Sequence, residues 1–256
     1  MEVRGISLWL AYGTQGDVRM RRAWALMLAI VFFLLPFSAS ATEDTPVIRS
    51  GSGESPKIAL TFDDGPHPRQ TDKILDLLEE YDVHATFFVI GQNAVYYPEP
   101  LKRAVSLGHE IGNHTFRHEG ISKMSAPLLE KELSDTEKVI FELTGVRPTL
   151  FRPPEGACSE AVLAAARHAE YPVILWTVDT RDWDLASTDK IVSTVENKVR
   201  GGSILLFHDY TARTAHTLDA LKILIPKLLD EGYEFVTVSE LLGEYQRERF
   251  EQYSMK

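Results

Sequence analysis

Asp63 and Asp64 stand side by side in Thr61-Phe62-Asp63-Asp64-Gly65-Pro66, and about fifty residues later His114 and His118 stand four apart in His114-Thr115-Phe116-Arg117-His118. Carboxylate and neutral imidazole are the oxygen and nitrogen donors that a Zn²⁺-like ion takes, and three protein ligands leave a position open for water. Two acids and two imidazoles supply three ligands with one carboxylate to spare. A spare carboxylate beside the activated water is what hydrolysis needs for a general base. Each residue alone has a plainer explanation, since Asp-Gly marks a turn and two His at i and i+4 can share the solvated face of a helix. The combination is what points to a hydrolytic metal site.

The elements that must position these side chains are readable from periodicity. Short apolar, β-branched runs at 57–62, 84–90, 109–112, 149–152, 172–178, 203–207 and 234–238 alternate with stretches of helical period, the signature of repeated βα units. The clearest helix has Leu129, Leu133, Thr136, Ile140 and Leu143 on one face, with Ser125 as its cap and Gly145 as its stop. A second has Ile191, Val195 and Val199, and a third runs from about Ala215 to Glu231 with Leu218, Leu221, Leu224 or Ile225, and Leu228 on one side. Strands joined by helices imply a parallel sheet. Asp63, Asp64, His114, Arg152, Asp179 and His208 all fall at or just past the C-terminal end of a predicted strand. A (β/α) barrel gathers all such ends on one rim, whereas an open sheet gathers only the loops at its switch point. The reading is therefore a single α/β domain, a (β/α) barrel of seven parallel strands rather than eight.

Composition bounds the partners. With 27 basic and 37 acidic residues the formal net charge is -10, which speaks against a nucleic-acid groove or an anionic membrane surface. A neutral polymer such as a glycan remains compatible. Residues 1–41 read as an export leader: Met20-Arg21-Arg22 is a basic start, Ala23 to Leu35 is apolar, and Ala39-Ser40-Ala41 offers a small-x-small cleavage site, with Met20 as an alternative first residue. The apolar run is short for a spanning helix, so cleavage is favoured over a stable membrane anchor. Residues 42–56 read as a flexible linker, 57–243 as the domain and 244–256 as a charged tail. Cys158 is the only cysteine, which rules out an internal disulfide and reads as a small buried thiol.

Five segments taken in order resemble one family. Thr-Phe-Asp-Asp-Gly-Pro at 61–66, His-Thr-x-x-His at 114–118, Arg-Pro-Pro-x-Gly at 152–156, Asp-x-x-Asp-Trp at 179–183 and Leu-x-His at 206–208 are similar to the motifs of the polysaccharide deacetylases with a NodB-homology domain, carbohydrate esterase family four. The resemblance covers about residues 55–243 and implies a deformed (β/α) barrel, one divalent cation such as Zn²⁺ or Co²⁺, and removal of acetyl groups from N-acetylglucosamine polymers. By the same resemblance Asp64, His114 and His118 would hold the metal, and Asp63 would be the general base, paired with Arg152. His208 would be the general acid, oriented by Asp179. Protonating the departing amine suits an imidazole, which titrates near neutral pH. Leu206 and His208 are two apart and so share a strand face. Leu206 and Trp183 could form a slot for the acetyl methyl. Glu155 stands where the family often has an aromatic residue. There the family uses a backbone N–H to stabilise the oxyanion.

His67, at the rim after Asp-Gly-Pro, is a lesser candidate to touch substrate, and Phe116, Trp183 and Tyr210 neighbour these motifs and could stack on sugar faces, with core packing as an equal reading for each of the three. Asn113 could fix the ligand loop. Two other functions use the same residues. Two His and one carboxylate also describe the facial triad of non-haem iron oxygenases, but that reading leaves Asp63, Arg152 and His208 without roles. A wall-binding protein that had lost the reaction would lack the base or the acid, and both are present. The expectation is an extracytoplasmic enzyme, secreted or attached to the cell wall, acting on an N-acetylated glycan such as peptidoglycan or chitin.

Overall fold

Lys57–Asp63 (β2) and Ile204–His208 (β7) are buried over nearly their whole length, as continuous apolar runs in a parallel sheet must be. They pair in parallel, with Asp63 opposite His208 and Thr61 opposite Leu206. The two-residue period then sorts their side chains. Ile58, Leu60, Phe62, Leu205 and Phe207 point out to the helices and share one apolar cluster, while Ala59 and Ile204 join a separate cluster inside the sheet. Thr61, Asp63, Leu206 and His208 are therefore on the inner side.

The computed structural model describes residues 45–184, 186–210 and 215–243, so the expected leader, 1–41, and tail, 244–256, lie outside the described residues. Thr86–Val89 (β3) and Glu110–Asn113 (β4) extend the sheet on one side of β2, and Val178–Asp179 (β6) extends it beyond β7, giving the order β4-β3-β2-β7-β6. Glu234–Phe235 (β8) pairs with the start of β2. Phe151 closes the circuit, bridging Asn113 of β4 on one side and Val173 of Val173–Ile174 (β5) on the other. All seven predicted strand segments lie in this deformed barrel, although 149–152 is reduced to single bridges and 172–178 is split into β5 and β6. At the end away from Asp63 and His208, Val238, Leu241 and Leu242 pack with Ala59 and Ile204 and plug the barrel.

Helices cover the outside. Gln70–Glu80 (α1) buries Ile74, Leu75, Leu77 and Leu78. Gly91–Tyr96 (α2) and Pro98–Ser106 (α3) follow β3, and Ala126–Thr144 (α4) buries Leu129, Leu133, Thr136 and Ile140 as the spacing predicts. Ser125 is its N-cap residue but its side chain makes no cap hydrogen bond, and Gly145 ends it at φ 74. Glu160–His168 (α5) and Thr188–Glu196 (α6) begin with Ser159 and Ser187, whose hydroxyls do accept from the helix. Ala215–Asp230 (α7) completes the layer. Among the described residues no helix is long and apolar enough to cross a membrane.

Two expectations are corrected. Of the segment read as a linker, 42–56, the described part is held to the domain: Val47–Ile48 (β1) pairs in parallel with β5, and Gly51 N donates to Gly202 O at 2.8 Å. Its turn-rich composition hides a two-residue strand. Cys158 is exposed, because it lies in the loop before α5 rather than on a core-facing element.

Candidate active site

Asp63 ends β2 on the inner side and is 4% exposed. Its Oδ1 accepts from Arg152 Nη1 at 2.7 Å. Arg152 is fully buried, and the rest of its guanidinium is spoken for: Nη1 also donates to Thr61 Oγ1 at 2.8 Å, Nε to Ile174 O at 3.2 Å and Nη2 to Leu175 O at 3.3 Å. Those two carbonyls lie where the strand breaks between β5 and β6. The interruption thus supplies acceptors for a cation inside the barrel, which would otherwise be very costly to bury. The Phe88 ring under Arg152, 4.0 Å from its Cζ, adds a cation–π contact.

Asp64 turns away from Asp63 because its backbone is left-handed, φ 75. Its Oδ1 lies 3.4 Å from His114 Nε2 and 3.2 Å from His118 Nε2. The two His do not lie on a helix. Thr115 and His118 adopt φ 68 and 63, which folds 114–118 into a tight loop and turns both rings toward Asp64. Left-handed backbone at non-glycine residues costs about 1–3 kcal/mol each and persists only where neighbours enforce it. Here Asn113 Oδ1 accepts from Thr115 N at 2.9 Å, and Thr115 Oγ1 accepts from His118 N at 3.2 Å. The buried Glu132 carboxylate on α4 accepts from Phe116 N and Arg117 N at 2.9 and 2.8 Å. Asn93 on α2 donates to Asp64 O at 2.7 Å.

The donor set fits a divalent cation. One ligand atom from each of Asp64, His114 and His118 lies within 4.8 Å of the others, and Asp64 Oδ1 is buried with no hydrogen-bond partner. His114 Nδ1 is 2.7 Å from Arg152 O, which can only accept, so Nδ1 bears the proton and Nε2 offers a lone pair. Burial opposes a charge on His114, but Asp63 and Asp64 outweigh it and raise its pKa above the ordinary value. That excess of negative potential is what a divalent cation would satisfy.

His208 faces the same cavity from the end of β7. Its partner is Asp182, not Asp179 as the sequence reading had it: Asp182 Oδ1 lies 2.8 Å from His208 Nδ1, and Oδ2 accepts from His208 N at 2.9 Å and from Thr217 Oγ1 at 2.8 Å. The 3-10 turn Asp182–Asp184 carries Asp182 back beneath the imidazole. Asp179 Oδ1 instead accepts from Arg181 N at 2.9 Å and Trp183 Nε1 at 3.4 Å, bracing the turn that presents Trp183. Burial disfavours the imidazolium, but the hydrogen bond and charge of Asp182, helped by Asp63 and Asp64, prevail and raise the His208 pKa to about 9.

A cavity of about 450 Å³ joins these groups; Asp63, Asp64, His114, His118, Glu155, Asp179, Trp183, Leu206 and His208 line it. Arg152 stands behind Asp63 rather than on the lining, and Asn113, His67, Phe116 and Tyr210 do not line it either. Glu155 is exposed at φ 57, so its carboxylate stays in water at the mouth. Sequence reading missed Trp176, which completes the wall; Gly156 has φ 67, and a side chain there would meet the Trp176 ring at 2.9 Å. Asp209 was also missed. Fully enclosed, it accepts from Thr71 Oγ1 at 2.5 Å and lies so close to Gly65 that any Cβ there would strike its carboxylate. His67 is occupied structurally, its Nδ1 accepting from Arg69 N and Gln70 N at the start of α1, and Phe116 packs against Gly91.

Residues 50–174 match the family model described as polysaccharide deacetylase. A peptidoglycan-N-acetylglucosamine deacetylase of Bacillus cereus is 43% identical over 187 residues, 72% of this chain and 87% of that protein. The peptidoglycan-N-acetylmuramic acid deacetylase PdaC of Bacillus subtilis is 42% identical over 184 residues, which are 72% of this chain but only 38% of PdaC. Among solved structures, the Bc1960 peptidoglycan N-acetylglucosamine deacetylase superposes with a TM-score of 0.75 at 36% identity, covering 78% of this chain and 94% of that one.

Proposed function

Because the chain belongs to the polysaccharide deacetylase family, we propose that it is a metal-dependent hydrolase that removes N-acetyl groups from N-acetylglucosamine residues of a cell-wall glycan outside the cytoplasm. The observation that carries this reading is the β2–β7 register, which sets Asp63 beside His208 on the wall of the cavity that Asp64, His114 and His118 also line. A divalent cation, Zn²⁺ foremost, would be held by those three side chains and, when bound, acidifies water and polarises a carbonyl.

The remaining chemistry belongs to the chain. Asp63 takes the proton from the attacking water at its Oδ2, since Oδ1 is tied to Arg152. Arg152, fixed by Thr61, Ile174 and Leu175, keeps that carboxylate in place and supplies the opposite charge beside it. His208 has Nδ1 engaged by Asp182, so Nε2 is the ring atom that gives a proton to the departing amine. Asp182 stabilises the imidazolium as a carboxylate does in a hydrolase triad, and its anchoring to Thr217 and to His208 N prevents it from turning away. Leu206, Trp176 and Trp183 form the apolar side of the cavity and suit the acetyl methyl. The Glu155 backbone N–H would assist at the oxyanion.

The test is acetate release from N-acetylated chitooligosaccharides and from purified peptidoglycan. Activity should vanish with a chelator and return with Zn²⁺ or Co²⁺. No acetate from either substrate in metal-replete buffer would remove the proposal.

A further inference from the structure

Beyond the catalytic cavity the rim holds a second concavity of about 310 Å³ between the 179–181 turn and α6. Asp179 lines both spaces. Arg181 lines the second and lies over the ring of Trp183, 5.5 Å from its centroid, and Trp183 lines the first. A polymer seated in the catalytic cavity would thus continue past Trp183, which is 49% exposed, into this second space.

Its lining has a definite chemical character. Arg181, Lys190 and Lys198 face a single carboxylate, that of Asp179, in a chain whose net charge is -10. That carboxylate is already engaged by Arg181 N and Trp183 Nε1. Lys190 and Lys198 make no ion pair among the described residues. Two acids close to them in the chain are occupied: Asp184 accepts from Arg181 Nη2 at 2.7 Å, and Glu196 pairs with Lys227. The neutral donors are largely turned to the helix backbone: Ser193 and Thr194 donate their hydroxyls to Lys190 O, and Asn197 donates from Nδ2 to Ser193 O. What the cavity offers a ligand is therefore cationic N–H, and little that would select the hydroxyls of a neutral sugar.

We propose that this cavity is a subsite for a carboxylate carried by the glycan next to the sugar being deacetylated, with Lys190 and Lys198 as its recognition residues. The proposal rests on the deacetylase reading above and narrows it to an anionic strand. In a wall glycan such a carboxylate can come from the lactyl ether of a muramic sugar or from an attached peptide.

The test compares three substrates: peptidoglycan with its peptides, the same strands stripped of peptide by an amidase, and neutral chitotetraose. In the Lys190→Glu/Lys198→Glu variant the KM for the anionic strands should rise about tenfold, the size expected of two exposed ion pairs. The kcat should hold, and both constants for chitotetraose should stay unchanged. Salt at about 0.5 M should shrink the difference, since exposed charges are screened. An effect on stripped strands assigns the lactyl carboxylate, and an effect on peptide-bearing strands alone assigns the peptide; both support the subsite. An unchanged KM on both anionic substrates, or an equal rise on chitotetraose, overturns it. Inactivity of the unsubstituted protein on all three would instead remove the deacetylase reading beneath it.

Discussion

Replacing Asp182 by Asn should move the pH range over which the enzyme works. Asp182 holds His208 through its Nδ1 at 2.8 Å, and with it the imidazole pKa stands at about 9 against the ordinary 6.5. A difference of that size corresponds to about 3 kcal/mol of preference for the imidazolium. Asparagine keeps the shape but removes the charge, leaving burial, which opposes protonation, against the smaller contributions of Asp63 and Asp64. The alkaline limb of kcat/KM should then fall from near 9 toward the ordinary 6.5. At pH 8.5 the acid form would drop from roughly three quarters of the molecules to about 1%, whereas at pH 6 it would stay the majority. The assay is acetate release across pH 5.5–10, with both proteins loaded with the same metal so that its field acts on each alike. Asp179→Asn is the control, and its limb should not move. Stability gives a second readout in metal-free protein. Because the folded pKa of His208 is raised, its contribution is complete below pH 6.5 and is lost as pH rises through 9. The Tm gap between the unsubstituted protein and Asp182→Asn should therefore be wide at pH 6 and narrow at pH 9.5. An unmoved limb in Asp182→Asn, or a shifted one in Asp179→Asn, would refute the pairing.

Glu132→Gln should weaken Zn²⁺ or Co²⁺ binding about tenfold, because a neutral acceptor replaces the carboxylate that holds Phe116 N and Arg117 N in the ligand loop. Titration of metal-free protein against a competing chelator measures this, and undiminished affinity would show that the loop holds itself. Asp209→Asn should raise the Tm above pH 7 and change little near pH 4. Burial, joined by the charge of Asp64, lifts the Asp209 pKa to about 7 despite the Thr71 hydrogen bond, so the stability it lends below 3.8 is gone once it ionises. Melting curves at both pH values decide it, and a lower Tm at pH 8 would mean that the ionised carboxylate has a structural task.

Legibility varied with how local the determining physics is. The strands β2 and β7 and the helix α4 could be read because burial on both faces leaves an unbroken apolar run, and burial on one face leaves a 3.6-residue stripe. The segment 149–152 looks like a strand but is bounded by Pro148, Pro153 and Pro154, which have no N–H to give, and it survives as the bridges of Phe151. The division of 172–178 was invisible because it depends on Arg152, distant in sequence, taking the carbonyls of Ile174 and Leu175. Asp179 and Asp182 are equally plausible in Asp-x-x-Asp-Trp. Only the 3-10 turn, with Arg181 at φ 57, decides which one reaches His208. Glu132 and Asp209 left no trace in composition or period, since their partners are backbone amides and a hydroxyl brought near by the fold.

The irregular places in the barrel are also where its polar chemistry sits. A regular parallel barrel fills its interior with layers of branched apolar side chains and satisfies every carbonyl in the ladder. Here the floor follows that rule, with Ala59, Ile204 and Leu241, and the upper half departs from it. There β5 and β6 are parted and 149–152 is barely paired, so two carbonyls and an aromatic face are free to receive a buried guanidinium. That guanidinium makes a 4%-exposed carboxylate tolerable at Asp63, which in turn lies opposite His208 in the ladder. Mending the strand with a continuous ladder would withdraw the acceptors from Arg152 and leave a buried guanidinium underserved, which is costly. The deformation is therefore a condition of the chemistry, and the regular floor beneath it supplies the stability that the upper half gives up.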